Sequence, residues 1–382
     1  MSRQAGWGSL ITMMRRSFLL ALTAGLLAAT AVPASAAPAP AVPGLALPAL
    51  TGPHRVGETE LHLVDPSRPD PWRGGVRELM VSVHYPALPG PGAPAPYMLP
   101  GAAAHFDAVT ANGLLGLGVP GGTDWAGVTT RSRRDAVPMP GRWPVIVYSP
   151  GLGEPRTWGT ATTEDLASRG YVVVSIDHTW EAPEVQFPDG SVRTMVGPGD
   201  PDPFLRKALD VRVADTRFVL DALASRLDVR RVGMIGHSLG GTAAAMTMAA
   251  DPRVVAGINL DGNLTWFDGS LTPPAAHGLD RPFLLVGEDG ETDTGPGWDA
   301  FLTATRGWAR QLRLAGSEHA TFTDAATLLP QLGVPLGTIE PATAVRTQRA
   351  YIASFFDRWL RGRDDHLLDG PSPRYPQMVF VH

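Results

Sequence analysis

The stretch RVGMIGHSLGGTAAAM, residues 231–246, passes from an apolar run through a serine set among glycines into an alanine-rich run. A short apolar run ending in glycine reads as a buried strand, and the alanine-rich run that follows reads as a helix. Ser238 therefore sits where a strand meets a helix, in Gly236-His237-Ser238-Leu239-Gly240. Glycines on both sides allow a sharp turn at a place where side chains would collide with the strand or the helix. Such a turn lifts the serine Oγ above the sheet and brings the free N–H groups of a helix N-terminus beside it. A plain tight turn would use the same residues, so the surrounding chain decides between the two.

Outward from this point, strands and helices alternate. PVIVYSP (144–150) precedes a helix near 157–169, YVVVSID (171–177) precedes one near 204–226, and the elbow helix spans about 239–250. VVAGINLD (254–261), PFLLVG (282–287), a helix around 297–307 and RQLRLAG (310–316) continue the series, which closes on PATAVRTQRAYIASFFDRWLRG (341–362). Continuous apolar strands joined by helical crossovers predict a mostly parallel sheet with helices on both faces. In the last helix Val345, Tyr351, Ile352, Phe355, Phe356 and Trp359 fall on the face that would cover the sheet. Ahead of the series, HRVGETELHLVD and RELMVSVHYPA alternate as an antiparallel strand pair. Residues of about 90–141 are rich in Gly, Pro and Ala, with HFDAVTANGLLGLGV as the one short helical run, and read as a lid-like insertion. Residues 54–382 thus form one domain carrying that insertion.

The N-terminus has a separate purpose. Arg15-Arg16 precedes the apolar SFLLALTAGLLAATAV and then Ala34-Ser35-Ala36, which predicts a twin-arginine-like signal peptide over 1–36, cleaved near Ala36, and a secreted protein. The proline-dense 37–53 reads as a flexible lead-in. The chain has 382 residues, 44% of them hydrophobic and 18% charged, enough to bury a large core. A net charge of -5 offers no broad positive field, which excludes nucleic acid as a partner. With no cysteine, the fold has no disulfide, no thiol nucleophile and no thiolate metal site. No His-Glu-x-x-His occurs, and GEDGETDTG (287–295) lacks the ligand spacing of a calcium loop, so neither metal nor other cofactor is expected.

A serine hydroxyl needs a base. His237 adjoins the serine, and its side chain diverges from Oγ at the turn. His319, in GSEHATFTD directly after the last core strand, stands where the order serine, acid, histidine along the chain places the base. Two carboxylates could orient it: Asp261 at the end of GINLD, and Asp289 at the end of LLVGED, one strand later. Strand position alone leaves both open. Amides of Leu239 and of Leu152, in SPGLGEPRTW, are the expected oxyanion donors, with Gly151 and Gly153 freeing the backbone to turn. His178, Trp125, Trp180 and Trp266 fall in or beside segments that would line a pocket.

SVHYPA, YSPGLGEPRTW, DLASRGYVVVSIDH, GHSLGG, GINLDG and GSEHATFTD, in this order, resemble the platelet-activating factor acetylhydrolase family of serine α/β-hydrolases, its plasma and type II members and their bacterial relatives. The resemblance runs from about 54 to 362 and implies an α/β-hydrolase fold. It implies Asp261 as the acid, His319 as the base, and the Leu152 and Leu239 amides as the oxyanion hole. Pro150 departs from the family pattern, which often has His at that position, and 98–140 has no counterpart. The activity implied is that of a monomeric serine esterase acting on a small-molecule or lipid ester, with short or oxidised sn-2 acyl phospholipids as substrates and transient contact with a lipid surface. A cutinase or polyester hydrolase and a triacylglycerol lipase are the competing enzyme readings, and an inactive binding protein on the same fold is the alternative outside catalysis.

Overall fold

β1 (Arg55–Pro69) and β2 (Val76–Ala87) pair antiparallel as their alternation predicts, with Val56 opposite Pro86 and Val83 opposite Thr59. The computed structural model in which they are seen describes residues 44–197, 199–290 and 295–381, so the expected signal peptide lies outside the described residues. Two short strands follow, β3 (Pro94–Pro96) and β4 (Thr129–Arg134), and then the parallel core. The core consists of β5 (Val145–Ser149), β6 (Val172–Asp177), β9 (Val232–His237), β10 (Val254–Leu260), β11 (Phe283–Gly287) and β12 (Ala309–Leu314). β7 (Glu184–Gln186) and β8 (Val192–Thr194) form a separate hairpin, and β13 (Met378–Phe380) adds antiparallel to β12. The sheet order is β13-β12-β11-β10-β9-β5-β6-β2-β1-β4-β3. The elbow strand β9 lies inside it, between β5 and β10.

The helices are α1 (Pro100–His105), α2 (Thr160–Ser168), α3 (Pro201–Leu223), α4 (Leu239–Ala250), α5 (Pro273–His277), α6 (Gly295–Ala304), α7 (Ala325–Gln331) and α8 (Pro341–Arg361). Alternate residues of each parallel strand point to opposite faces, so each face has its own core. Val145, Val147, Val232 and Met234 join Val219 and Leu220 of α3 and Ala244 and Met248 of α4 on one side. Ile146, Tyr148, Ile235 and Ile258 join Tyr351, Ile352, Phe355 and Phe356 of α8 on the other. The Glu340 carboxylate caps α8 by accepting from the Ala342 and Thr343 amides, and Gly362, at φ 67°, ends it in the left-handed region.

Part of the insertion at 90–141 extends the sheet edge: β4 lies parallel to β1, with Val56 opposite Ser132, and β3 pairs with β4. Its helical run continues α1 as a π-helix, Phe106–Leu114. Between these elements Phe106, Trp125 and Trp158 stack into a third core with Tyr97, Leu328 and Leu329. The described part of the lead-in, 44–53, is fixed to the body. Leu45 and Leu47 enter the same third core, the Leu47 amide donates to the Thr129 carbonyl at 2.9 Å, and the Thr51 amide donates to Asp165 Oδ1 at 2.9 Å. Proline density disfavoured regular structure here but left two leucines free to be buried. Leu47 is 1% exposed. Leu47→Ala is expected to lower unfolding stability by about 2–4 kcal/mol in denaturant titration, whereas a flexible lead-in would show no change.

Candidate active site

Ser238 adopts φ 51°, ψ -123°, a left-handed conformation that a non-glycine residue takes only where its surroundings impose it. Those surroundings are backbone. A Cβ on Gly236 would stand 2.2 Å from the Gly240 carbonyl, and one on Gly240 would stand 1.9 Å from the Ser149 carbonyl oxygen. Ser238 donates its amide to the Leu260 carbonyl at 2.8 Å and accepts from the Gly241 amide at 2.9 Å with its own carbonyl. A serine opening a helix ordinarily caps it through the side chain. Here the side chain makes no capping bond, which leaves Oγ available.

The chain after β10 returns to the same point. A Cβ on Gly262 would stand 2.1 Å from the Ser238 carbonyl oxygen, so the residue following Asp261 must be glycine. Asp261, itself at φ 57° and 7% exposed, holds His319 Nδ1 at 2.5 Å through Oδ2 and accepts the Glu288 amide at 3.0 Å through Oδ1. Asp289 is directed elsewhere: it accepts the Gly316 amide at 2.6 Å and pairs with Arg313 at 3.0 Å. The two carboxylates left open by strand position are thus separated by geometry, and Asp261 is the one that meets the histidine. His319 starts a short 3-10 turn fixed by the Glu318–Thr321 capping box. With Nδ1 held by Asp261, Nε2 is the nitrogen left to take a proton. Burial lowers the affinity of the imidazole for its proton, but Asp261, Glu154 and Glu288 outweigh it and hold the His319 pKa above its ordinary value. The Glu288 carboxyl is itself pushed up to about 7 by burial and by Asp261.

On the other side of Ser238 lies the turn after β5. Gly153 takes φ 71°, and neither the Leu152 nor the Leu239 amide donates a backbone hydrogen bond among the described residues. Both leucine side chains pack against the cluster of Val196, Phe204 and Ala208. Pro150 supplies no polar side chain, and Arg212 of α3 does the holding in its place. Arg212 donates to the Pro150 carbonyl, to the Gly151 carbonyl at 3.1 Å and to Ser149 Oγ at 3.2 Å, and is paired with buried Glu181.

Trp180 packs against the Val196, Phe204 and Ala208 cluster that Leu152 and Leu239 also meet, and Trp266 clusters with Leu209 and Ala243 against Leu239. Trp125 is 1% exposed, inside the third core, and does not reach the site. His178 is buried below the turn, with Ser149 Oγ at 3.2 Å from Nε2 and Asp215 at 3.0 Å from Nδ1. Burial pushes its pKa down to about 4, so it is neutral: Nδ1–H donates to Asp215, and Nε2 accepts from Ser149. Arg212, Glu181, Asp215 and Glu154 were not singled out from the sequence, since none of them falls at a position that the motifs assign a role. The one available signal was a charge on an otherwise apolar helix face, as at Arg212 and Asp215.

Residues 128–185 match the family described as platelet-activating factor acetylhydrolase, isoform II, and residues 196–366 match the alpha/beta hydrolase fold family. A protein of Arthroderma benhamiae named probable 1-alkyl-2-acetylglycerophosphocholine esterase is 32% identical over 261 residues, covering 62% of this chain and 66% of that protein. The platelet-activating factor acetylhydrolase of Canis lupus familiaris is 27% identical over 34% of this chain, and the match spans 37% of its own length. A solved ferulic acid esterase from Streptomyces cinnamoneus superposes with a TM-score of 0.76 at 39% identity, covering 89% of this chain and 100% of that one. The chain belongs to the α/β-hydrolase family. Within it, the match at 128–185 and the two named relatives bear out the resemblance to platelet-activating factor acetylhydrolases.

The separation of the two carboxylates can be measured. Asp261→Asn is expected to lower kcat/KM by about 10³- to 10⁴-fold, because the imidazole loses both its orientation and its counter-charge, while Asp289→Asn stays within about fivefold of wild type. An equal loss in both would contradict the geometry. A His319 that serves as base must be neutral to do so, and on that role the acid limb of kcat/KM should have its midpoint above about 6.5, the free histidine value.

Proposed function

We propose that the chain is a secreted serine carboxylic-ester hydrolase that acts on lipid-like esters through an acyl-enzyme on Ser238. The observation that supports this most directly is the convergence of an uncapped Ser238 side chain, the Asp261–His319 pair and two unengaged amides. Ser238 Oγ attacks the ester carbonyl carbon while His319 Nε2 takes its proton, and Asp261 stabilises the resulting imidazolium. The carbonyl oxygen, now negative, accepts from the Leu152 and Leu239 amides. His319 then gives its proton to the leaving alkoxide oxygen, and water, deprotonated by the same Nε2, releases the acid and restores Ser238.

The walls bear on the substrate. Trp180 and Met195 share the Val196–Phe204 cluster with Leu152 and Leu239, and Trp266 lies in the cluster on Leu239, an apolar setting suited to an apolar acyl or leaving group. Curated relatives carrying acetylhydrolase names support a short acyl group on a phospholipid-like alcohol. A second reading, an esterase for aromatic acyl groups, is favoured by the same indole walls and by the ferulic acid esterase neighbour.

The enzyme reading is checked with a fluorophosphonate probe: it should label wild type and not Ser238→Ala, and failure to label folded wild type would leave an inactive binding protein on this fold. The substrate reading is checked by rates over p-nitrophenyl esters of increasing chain length, a short-acyl phospholipid, methyl ferulate and a polyester film. Fastest turnover is expected on the short esters and the phospholipid. Preference for methyl ferulate would select the aromatic reading, and preference for long triglycerides or the film would select a lipase or cutinase.

A further inference from the structure

His237, set aside as a base, has another use. Its ring is fully buried, 0% exposed, and both nitrogens are engaged: Nδ1 with the Glu154 carboxylate at 3.0 Å, Nε2 with the main-chain carbonyl oxygen of His319 at 3.0 Å. A carbonyl only accepts, so Nε2 donates to it, while Nδ1 meets the Glu154 carboxylate. Glu154 is in turn tied to the oxyanion turn, where its Oε2 accepts the Gly151 amide at 2.7 Å. The carboxylate lies so close to that residue that a Cβ on Gly151 would stand 2.7 Å from Glu154 Cδ.

We propose that Glu154 and His237 are positioning residues that lock the oxyanion turn, the elbow and the loop of the base into one unit. The path is continuous. It runs from the Gly151 amide to the Glu154 carboxylate, from there to the His237 ring, and on to the carbonyl of His319, whose own ring lies 4.5 Å from that of His237. Gly151 immediately precedes the Leu152 donor, and His237 immediately precedes Ser238, so the linkage spans the oxyanion turn, the nucleophile and the base without touching substrate. The groups facing it are Tyr148 and Tyr97 on the Glu154 side, Asp261 and Glu288 around His319, and Arg212, which holds the Gly151 carbonyl. Burial would raise the Glu154 carboxyl, but His237 and the Gly151 amide hold it below its ordinary value, in keeping with an ionised acceptor. A linkage of this kind acts on the transition state, because misplacement of an oxyanion donor or a base by a fraction of an ångström leaves ground-state binding nearly intact.

The inference rests on the esterase reading, and its test is arranged so that the two fail separately. Glu154→Gln keeps the size and an acceptor for Gly151 but removes the charge, His237→Gln keeps one donor, and the two alanine variants remove the linkage. Turnover is counted per fluorophosphonate-titratable serine, which leaves unfolded chains out. The alanine variants are expected to lose about 10- to 100-fold in kcat with KM within about threefold of wild type, and to bind a boronic acid that forms a tetrahedral serine adduct correspondingly more weakly. The glutamine variants should recover part of the loss. In Glu154→Gln the acid limb of kcat/KM should also move to lower pH, since one of the negative charges supporting protonated His319 is gone. A wild-type kcat in the alanine variants, a loss confined to KM, or variants with no titratable serine at all would overturn the assignment. Undiminished turnover in Ser238→Ala would instead overturn the esterase reading itself.

Discussion

The site depends on one close approach of main chain to main chain, that of the first turn of α4 to the end of β5. With Gly240 placed where even a methyl group would penetrate the Ser149 carbonyl, the helix can start almost in contact with the strand. That proximity forces Ser238 into its left-handed conformation and sets the Leu239 amide beside the turn that carries the Leu152 amide. Asp261 is delivered by a second contact of the same type, Gly262 against the Ser238 carbonyl. The backbone strain at Ser238 and Asp261, of order 1–3 kcal/mol each, is held by a sheet whose two cores are filled with Val, Ile, Leu and Phe.

Around this apolar frame the chain buries several charged pairs. Arg212 and Glu181, Arg77 and Asp215, and Glu154 beside His237 all lie within or near the turn after β5. Buried pairs of this type add little net stability over apolar residues of equal size, because desolvation offsets most of the attraction. They do fix geometry. Arg212 alone takes two successive main-chain carbonyls, those of Pro150 and Gly151, so the turn cannot rotate without breaking both bonds. Flexible glycines let the turn form, and the guanidinium fixes it.

The parallel core and the elbow were legible because both are local: apolar runs of fixed length, and glycines whose positions admit no side chain. Asp261 against Asp289 was not legible from strand position, since both close a core strand one step apart. What separates them is the direction of the chain after the strand, which bends back over Ser238 at Gly262 and away toward Arg313 at Asp289. The strand assignment failed where propensity was weak. Pro94–Pro96 and Thr129–Arg134 carry little strand signal, and the exposed edge of β1 recruits them. Trp125 packs into the third core because an aromatic residue near a site in sequence goes wherever a core is available, whereas His178 is drawn below the site by Asp215 and Ser149. Residues 44–53 show the limit of composition: proline governed the reading, while Leu45 and Leu47 governed the packing.

The π-helix at Phe106–Leu114 gives the mouth of the site a distinctive kind of adjustability. A Cβ on Gly153 would stand 2.9 Å from Leu114 Cδ2, so the last residue of that helix rests on the oxyanion turn, and it is 36% exposed. A π-helix takes up an added residue by widening, with i→i+5 in place of i→i+4 hydrogen bonds. Deleting one residue between 106 and 113 would tighten the coil toward α geometry and shift Leu114 relative to Gly153. Relatives could therefore open or narrow the entrance through a change of length, with the catalytic residues and every pocket side chain left unaltered.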